Sequence, residues 1–337
     1  MNIWIITIGN SDVQLQTKDH WTRLFRNVRR QLDNRGFTPT EGTDNRFLVP
    51  GRVMGTVYSQ SQAQDYWDDL AFPLLHNFVG KLQHKNIEID KIILIFTDQD
   101  AVFSPSERLS QQSAYWQDTC TLEPIIGTYL QKKLPQAQLK PLLLQPESPT
   151  EGLDDWDSVL KLIQSKFAKF DFPETATIYV SHQAGTPAIS SGVQFETLLR
   201  FGQHVKFLVS SEREENLTKI LDRSTYLQGI RQQEAKTLLE RYDYSGVKAI
   251  LAPYLTSNVK LLLDAVILWN SAKFDQFAQT VLQYPDSQLV QKVQERTQKC
   301  NWWWTGYEAA YLGVVRLEQG NTVEAFFHSF RAVEGLI

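Results

Sequence analysis

The sequence has few cysteines and no long hydrophobic segment. Its two cysteines, Cys120 and Cys300, lie far apart in the 337 residues, so neither a disulfide framework nor a zinc site is indicated. The N-terminal apolar run has no basic region before it and is too short for a signal peptide or a membrane span. We therefore predict a cytoplasmic protein with no metal site, no cofactor and no membrane segment.

An excess of positive charge is also absent. The chain has 34 Lys and Arg against 38 Asp and Glu, a formal net charge of −4. This balance argues against a broad electrostatic grip on duplex DNA, although local N–H groups can still hold a small anionic ligand. The length and the hydrophobic fraction of 42% are typical of a globular protein of about two domains.

Two common phosphate-binding motifs are missing. No Gly-x-Gly-x-x-Gly follows the first predicted strand, and no Gly-x-x-x-x-Gly-Lys-Ser/Thr occurs anywhere. Dinucleotide-binding and P-loop NTPase sites depend on these turns. The sequence therefore favours neither class.

The sequence does contain an alternation of apolar strands and amphipathic helices. Apolar runs predict strands at 3–8, 91–97, 139–144, 177–180 and 205–209. Helical spacing predicts helices at 62–83, 116–133, 153–169 and 187–199. The alternation predicts an α/β fold with a Rossmann-like parallel sheet in residues 1–225, and Pro141 favours an edge strand. Residues 226–337 are almost entirely helical in pattern, which predicts a second, all-α domain.

Residues 17–60 are less regular. Arginines at 23, 26, 29, 30 and 35 surround an apolar stripe, which predicts a helix with a solvated basic face. The segment 36–60 is rich in Gly, Thr and Asn and predicts an insertion or an extended loop.

Polar residues follow the first strand directly, at Gly9, Asn10, Ser11 and Asp12. Ligands of open α/β sheets bind at the carboxyl ends of strands, so a ligand is expected here. The alternative is an Asx-type turn in which Asp12 caps the following segment.

Polar residues also follow the second strong strand, at Asp98, Gln99 and Asp100. Paired carboxylates can serve acid–base chemistry or bind a metal. No third acidic partner is evident nearby, so a turn held by a few hydrogen bonds is the preferred interpretation.

The segment 175–199 predicts a strand, a tight turn and a helix. Gly185 allows the turn, Thr186 can cap the helix, and Pro187 fits its first turn. Such a corner presents bare N–H groups and the positive end of a helix dipole, which suits an anion. A βα turn without a ligand is the alternative.

Taken together, these corners resemble those of the CARF (CRISPR-associated Rossmann fold) family. The motifs are Ile-Gly-Asn-Ser-Asp-Val after the first strand and Ser-His-Gln-Ala-Gly-Thr-Pro after a late strand. The likeness is greatest to the type III CRISPR ribonucleases, in which a CARF domain, a helical linker and a HEPN nuclease domain follow one another. Leu239-Glu240-Arg241-Tyr242-Asp243-Tyr244 resembles the linker, and the segment from Phe330 resembles the opening of a HEPN region.

The resemblance implies a sensor of cyclic tetra- or hexa-adenylate that binds the ring as a homodimer, across the two-fold axis, and allosterically activates the HEPN ribonuclease. Carried over to this chain and extended to neighbouring strand ends, it gives the predicted ligand-binding residues Gly9, Asn10, Ser11, Asp12, Gln14, Asp98, Gln99, His182, Gln183, Ala184, Gly185, Thr186 and Pro187. His182 could reach a phosphate or a ribose, but a single histidine at a strand end is more often structural.

One departure from the family concerns the nuclease motif, an Arg and a later His with four to six residues between them. No such pair occurs: His204 follows Arg200 too closely, and Leu336 and Ile337 follow Arg331 where the His would stand. We therefore expect the metal-independent RNA cleavage, and the RNA substrate, to belong to a HEPN region that this chain lacks. We also expect the chain to be truncated.

Three alternatives remain open. Some CARF domains cleave their own ligand by attack of a ribose 2′-OH on the adjacent phosphate, and Ser11 and Thr186 are the candidate catalytic residues for such a ring nuclease. A CARF transcription regulator would bind DNA through its C-terminal helices, but the segment 286–300 is only mildly basic. An α/β enzyme acting on an unrelated nucleotide is the third alternative.

Overall fold

The computed structural model describes residues 1–42, 44–146, 150–211, 217–221, 225–285, 287–296 and 298–335. Asp286, Leu336 and Ile337, which entered the sequence-based predictions, lie outside these ranges. The chain divides into two compact units, Met1–Ser224 and Thr225–Ile337, one residue from the boundary expected from the sequence.

Over its described residues, unit 1 contains ten strands in two sheets. They are β1 (Asn2–Thr7), β2 (Gln14–Leu15), β3 (Thr40–Glu41), β4 (Phe47–Leu48), β5 (Leu70–Ala71), β6 (Lys91–Thr97), β7 (Gln138–Leu144), β8 (Thr177–Ser181), β9 (Val205–Val209) and β10 (Lys219–Leu221). The main sheet has the order β10-β9-β8-β1-β6-β7, and only the β9–β10 pair is antiparallel. All five predicted strands are present, and β7, which contains Pro141, lies at an edge. The predicted α/β fold class is confirmed.

Strand β1 lies at the centre of unit 1. Its side chains from Ile3 to Ile6 are at most 1% exposed, as expected for a parallel strand covered by helices on both faces. Strands β6 and β8 pair with it on either side. The carboxyl ends of β8, β1 and β6 therefore lie side by side, at the edge of the sheet where ligands of this fold class bind.

In the part of unit 1 that the structure describes, seven α-helices accompany the sheets. They are α1 (Trp21–Val28), α2 (Gly51–Tyr58), α3 (Pro73–His84), α4 (Ala114–Gln117), α5 (Glu123–Lys133), α6 (Trp156–Phe167) and α7 (Pro187–Phe201). In α1, Trp21, Leu24 and Val28 are buried and the arginines are exposed, as predicted.

The prediction of a loop over 36–60 is wrong for its second half. Residues 51–58 form α2, and the short strands β3, β4, β2 and β5 form a small antiparallel sheet. Val53, Met54 and Val57 repeat at helical spacing and are fully buried. The two glycines of α2 obscured this pattern. They are required because a Cβ at Gly55 would meet the backbone of Thr121.

Two predicted helices are interrupted in the structure. Residues 62–83 contain a 3-10 helix (Ser61–Asp69), β5 and most of α3. The break falls at Phe72, whose extended φ of −126° is the conformation favoured before a proline such as Pro73. Residues 116–133 similarly contain the end of α4, a 3-10 turn and α5.

Unit 2 consists of helices over its described residues. They are α8 (Thr225–Glu240), α9 (Tyr244–Leu251), α10 (Ser257–Asn270), α11 (Phe274–Val281), α12 (Ser287–Glu295), α13 (Trp304–Glu318) and α14 (Thr322–Glu334). The predicted all-α region is confirmed. Across the described residues of both units, no helix combines the length and the apolarity that crossing a membrane requires.

The segment considered for DNA binding contains α12. Its most prominent cation, Arg296, is only 9% exposed and forms ion pairs with Glu308 and Asp275, both at 2.9 Å. This side chain is therefore used inside unit 2. Trp302, which follows this segment, is 63% exposed.

The close approach of α2 to residue 121 yields a test. Gly55→Ala should destabilise unit 1 by about 1–3 kcal/mol, because the added methyl must displace backbone atoms of Thr121. Gly80→Ala is the matched control: it lies inside α3 with nothing within 4 Å of the new Cβ and should stabilise the helix by about 0.5–1 kcal/mol. Urea unfolding of both variants measures the difference, and similar effects of the two substitutions would contradict the packing described here.

Candidate ligand-binding site

A cavity of about 770 Å³ opens at the carboxyl ends of β1, β6 and β8. Its lining comprises Ile8, Gly9, Asn10, Ser11, Phe37, Thr38, Thr40, Leu48, Val49, Pro50, Thr97, Gln99, Gln111, Gln112, Ala114, Gln117, Asp118, Thr119, Leu153, Gln183, Ala184, Gly185 and Thr186. This volume is in the range of small-molecule sites.

The two corners predicted from the sequence meet in this cavity. Strands β1 and β8 pair in parallel with Ile6 opposite Ser181, so the turns that follow them are neighbours. A Cβ added to Gly9 would lie 2.9 Å from the backbone nitrogen of Gly185 and 3.2 Å from the Cβ of Ala184. A side chain at position 9 would therefore push the two turns apart.

The first corner is held by its own polar side chains. The Asp12 carboxylate is buried and accepts a hydrogen bond at 2.8 Å from the N–H of Gly9, which precedes it in the chain. The side-chain oxygen Oδ1 of Asn10 accepts a hydrogen bond from the Gly51 N–H at 2.7 Å, and the side-chain nitrogen Nδ2 donates one to the Gln117 side chain. Asn10 thus connects the end of β1 to the first residue of α2.

Two further residues of this corner differ in their surroundings. Ser11 lines the cavity, and its hydroxyl makes no hydrogen bond to another described residue. Gln14 is buried outside the lining and donates to the Ser11 carbonyl at 3.0 Å. Ser11 is therefore the hydroxyl of this corner that is available to a ligand.

The second corner has the conformation that the sequence predicts. Gly185 has φ +90°, which favours glycine. The Thr186 hydroxyl oxygen accepts from the Ile189 N–H at 3.2 Å and donates to the Leu153 carbonyl at 2.6 Å. Pro187 occupies the first turn of α7 outside the lining. The N-terminus of α7 therefore lies at the cavity, with Thr186 already fully engaged as its cap.

Gln183 and His182, just before this turn, contact other residues of unit 1 through their side chains. The Gln183 side chain donates to the Ser210 carbonyl at 2.7 Å and accepts from the N–H of the same residue. His182 lies outside the lining, with its Nδ1 3.0 Å from the Ser190 hydroxyl, and burial lowers its pKa. Its contacts are those of a structural histidine.

The end of β6 carries a buried ion-pair network that the sequence did not reveal. One terminal nitrogen of Arg52 lies 2.7 Å from Asp98 and 2.8 Å from Asp118, and the guanidinium lies 4.0 Å from the centre of the Tyr115 ring. Asp118 is the acidic partner of Asp98 that was not evident from the sequence. It also accepts the Gln99 N–H at 2.8 Å.

The network sets one cation, Arg52, against two carboxylates. Burial opposes the charge on Arg52, but the hydrogen bonds and charges of the two aspartates outweigh it and raise the guanidinium pKa. Burial also opposes the charge on Asp98, yet Arg52 lowers that carboxyl pKa overall. For Asp118 burial dominates, and its pKa is raised. The network therefore fixes α2 against the end of β6 with its charges paired.

One wall of the cavity was not predicted from the sequence. This wall comes from the N-terminal end of α2 and from the segment 111–119. The start of α2 is held at the sheet by the contacts of Gly51 with Asn10 and of Arg52 with Asp98. The segment 111–119 is held there by a 3.2 Å hydrogen bond from the Thr119 N–H to the Thr97 carbonyl. The only signal in the sequence was the apolar spacing of residues 53, 54 and 57. A helix predicted from that spacing would have placed the N-terminus of α2 at the site.

Among the residues of the lining none is Lys, Arg or His. The positive ends of two helix dipoles reach the cavity instead, at Pro50 before α2 and Thr186 before α7. The rest of the lining combines amides, hydroxyls and the Asp118 carboxylate with apolar side chains, and Asp118 is paired with Arg52. The arrangement can hold an anion by N–H groups and can form hydrogen bonds with a polar heterocycle.

Of the predicted binding residues, the structure brings Gly9, Asn10, Ser11, Gln99, Gln183, Ala184, Gly185 and Thr186 together around the cavity. The others, Asp12, Gln14, Asp98, His182 and Pro187, lie outside the lining. The contacts of Asp12, Asp98 and His182 described above support neighbouring residues of the protein.

No family model and no curated protein matches the chain. Among solved structures, Enterococcus italicus Csm6 bound to cyclic hexa-2'-fluoro-hexa-dAMP is similar, with 15% sequence identity and a TM-score of 0.49. The match covers 96% of this chain and 64% of that chain, so this chain spans less than two thirds of the length of that protein.

The ion-pair network yields a test of how the cavity wall is held. Arg52→Met should destabilise unit 1 by about 3–5 kcal/mol, because it leaves the buried Asp118 without its counter-charge. The loss should shrink as the pH falls, because burial already raises the Asp118 pKa and protonation removes the unpaired charge. Urea unfolding between pH 7 and pH 4 measures both effects.

Arg108→Met is the matched control for that substitution. Arg108 also stacks on Tyr115, at 4.5 Å, but its partner Asp100 is 59% exposed. An exposed ion pair contributes about 1 kcal/mol or less. Equal losses of unfolding free energy in Arg52→Met and Arg108→Met would contradict the stabilising role assigned to the buried ion-pair network.

Proposed function

We propose that unit 1 is a CARF-type sensor domain that binds a cyclic oligoadenylate in the cavity described above. In this proposal the chain acts in the cytoplasm, in type III CRISPR antiviral defence, and ligand binding allosterically controls a HEPN ribonuclease region. The observation that carries the proposal is the meeting of the two motif-bearing turns, at Gly9–Asp12 and Gln183–Pro187, around one cavity.

The chemistry of the lining suits such a ligand. Phosphates of the ring would face the N-termini of α2 and α7, where the helix dipoles favour negative charge. Adenine presents a donor and an acceptor side by side, which Asn and Gln side chains match. Gln111 and Gln112 are exposed in the lining and are free to turn toward a base, whereas Asn10 and Gln117 are bonded to each other.

A homodimer follows from the size of the ligand. The cavity of one chain, about 770 Å³, is that of a drug-sized site, whereas a ring of four or six adenylates is larger. Two cavities related by a two-fold axis would share one symmetric ring. The helix α7 starts at the cavity and exposes Phe195 and Leu199 one turn apart, 50% and 66%, which supports a symmetric contact along this helix.

RNA cleavage is assigned in this proposal to a HEPN region. The present sequence has no Arg and later His with four to six residues between them, so it lacks that motif. An RNA substrate would therefore be bound by the nuclease region of the longer protein, and the role of this chain would be to sense the ligand.

Isothermal titration with cyclic tetra-adenylate and cyclic hexa-adenylate tests the proposal. We expect one ring per dimer for one of the two ligands, and Gly185→Val should abolish that binding because the side chain enters the lining. Gly202→Val is the matched control: Gly202 also has positive φ, at the other end of α7, and nothing lies within 4 Å of its added Cβ.

The two valine variants should lose similar stability, about 1–3 kcal/mol for a β-branched residue at positive φ, but only Gly185→Val should lose binding. If Gly185→Val still binds the ring, the assignment of the ligand to this cavity is wrong. Failure of the unmodified chain to bind either ring, with good binding of a mononucleotide, would favour an α/β enzyme acting on another nucleotide.

A ring nuclease is the second candidate function, favoured by the unengaged Ser11 hydroxyl in the lining. Thr186, the other predicted catalytic residue, already accepts and donates a hydrogen bond within the protein. If the ring is recovered from the titration as linear fragments, Ser11→Ala should slow that cleavage more than it weakens binding. Equal losses of both would mean that Ser11 only positions the ligand.

A further inference from the structure

A chain of hydrogen bonds runs along the cavity from the ion-pair network to the N-terminus of α7. Its members Asp118, Gln99, Leu153 and Thr186 all belong to the cavity lining. They come from four separate segments of unit 1, so the hydrogen bonds connect parts of the sequence that are not neighbours. The chain therefore joins one wall of the cavity to the helix on its other side.

The side chain of Gln99 connects Asp118 to Leu153. Its Nε2 donates to Oδ1 of Asp118 at 3.2 Å, and its Oε1 accepts from the Leu153 N–H at 2.8 Å. The backbone N–H of Gln99 donates to the other carboxylate oxygen of Asp118 at 2.8 Å. Gln99 is buried, and both ends of its side-chain amide are therefore used inside the protein.

The two neighbours of Gln99 require an amide at this position. An ionised Asp118 can only accept hydrogen bonds, whereas the Leu153 N–H can only donate one. The Gln side chain offers a donor and an acceptor on the same planar group, so it satisfies both. A carboxylate would face Asp118 with a like charge, and an apolar side chain would leave the Leu153 N–H without this acceptor.

Leu153 extends the connection to α7. Its carbonyl oxygen accepts from the Thr186 hydroxyl at 2.6 Å, and that hydroxyl oxygen accepts from the Ile189 N–H at 3.2 Å. Donation to Leu153 fixes the rotation of the Thr186 hydroxyl and leaves its lone pairs for the Ile189 N–H. The cap of α7 is therefore linked to Gln99 through Leu153.

Helix α6 begins beside the same connection. Its N-cap Asp155 lies two residues after Leu153 and accepts from the Ser158 N–H at 2.8 Å. A Cβ added to Gly192 of α7 would lie 2.8 Å from the Ile163 side chain of α6, so the two helices pack closely. Leu153 thus lies where both helices are joined to the edge of the sheet.

We propose that Gln99 is a positioning residue of the cavity: it holds the N-terminus of α7 in place through Leu153 and thereby sets the affinity for an anionic ligand. The stabilisation of an anion by a helix N-terminus falls off within one turn, so a displaced first turn holds the anion less well. This inference rests on the proposed function, because it assigns a role to a residue of the same cavity.

Amide hydrogen exchange of Ile189 in the full chain without ligand tests the positioning role. Gln99→Met keeps the length of the side chain but removes its donor and its acceptor. The protection of the Ile189 N–H, relative to its intrinsic exchange rate, should fall about fivefold, as for the loss of a helix cap. The protection of the Ile5 N–H in β1 reports opening of the whole unit and should change less.

Gln99→Glu gives a rescue that a loss of packing would not show. At about pH 8 its new carboxylate faces Asp118 with a like charge, and the protection of Ile189 should be as low as in Gln99→Met. Toward about pH 5 the two carboxyl groups should share one proton, because burial already raises the Asp118 pKa. The protonated pair again offers a donor and an acceptor, so the protection should recover. Gln99→Met should show no recovery.

The other charged groups of the network keep their charge over this pH interval. Arg52 remains a cation, and Asp98 stays ionised because Arg52 lowers its carboxyl pKa. Burial raises the pKa of the nearby Cys120 thiol to about 11, so the thiol stays neutral. A recovery of protection in Gln99→Glu is therefore assigned to the new carboxyl group and Asp118.

Gln145→Met is the matched control. The Nε2 of Gln145 also donates to an aspartate of the network, Asp98, at 3.2 Å, but Gln145 is exposed and lies outside the cavity lining. This substitution should leave the protection of Ile189 unchanged. In titrations with cyclic tetra- and hexa-adenylate, Gln99→Met should bind about fivefold more weakly than the unmodified chain, and Gln145→Met should bind equally well.

The outcomes separate this inference from the proposed function. The expected exchange pattern, without binding of either ring by the unmodified chain, supports the positioning of α7 and counts against the proposed function. Ring binding with unchanged Ile189 protection in Gln99→Met, with an equal loss at Ile5 or in Gln145→Met, or without recovery in Gln99→Glu overturns the positioning role alone. A loss of Ile189 protection with unchanged ring affinity overturns the link between the position of α7 and affinity.

Discussion

The close approach of two backbone turns, at Gly9 and Gly185, is the constraint on which the site of unit 1 depends. Parallel pairing of β1 with β8 makes these turns neighbours, and a Cβ at position 9 would lie 2.9 Å from the backbone nitrogen at position 185. Because neither turn carries a side chain at the point of contact, the backbone N–H groups, the Ser11 hydroxyl and the N-terminus of α7 face one common space. The central strand thus both builds the core and positions the cavity.

The opposite wall depends on electrostatics rather than on strand pairing. Arg52 extends from α2 to two aspartates beyond the end of β6, and a buried cation of this kind is tolerated only when its charge is paired. This requirement fixes the position of α2, and Asn10 then links α2 back to the first turn. The cavity therefore lies between the carboxyl edge of the main sheet and the wall that the ion-pair network holds in place. No cationic side chain is part of its lining.

Local pattern predicted the sheet, but it did not predict the whole cavity. The strands were recognisable because each is a continuous apolar run, and the Gly185–Thr186–Pro187 corner was recognisable because each residue has one specific role in a strand-to-helix turn. In contrast, α2 was assigned to a loop because its two glycines weaken a helical pattern; Gly55 is needed where α2 approaches Thr121, and Gly51 where it approaches Asn10 and Asp118. The pairing of Arg52 with Asp118 spans 66 residues and leaves no local signal.

The most direct measurement is photo-labelling of the unmodified chain with cyclic hexa- and tetra-adenylate that carry an azidoadenosine, followed by peptide mass spectrometry. The account predicts labelled peptides from the two turns, around residues 9–12 and 183–187, and from the wall at 111–119, with labelling suppressed by excess unmodified ring. Specific labelling confined to unit 2, or labelling of unit 1 only away from these three segments, would contradict it.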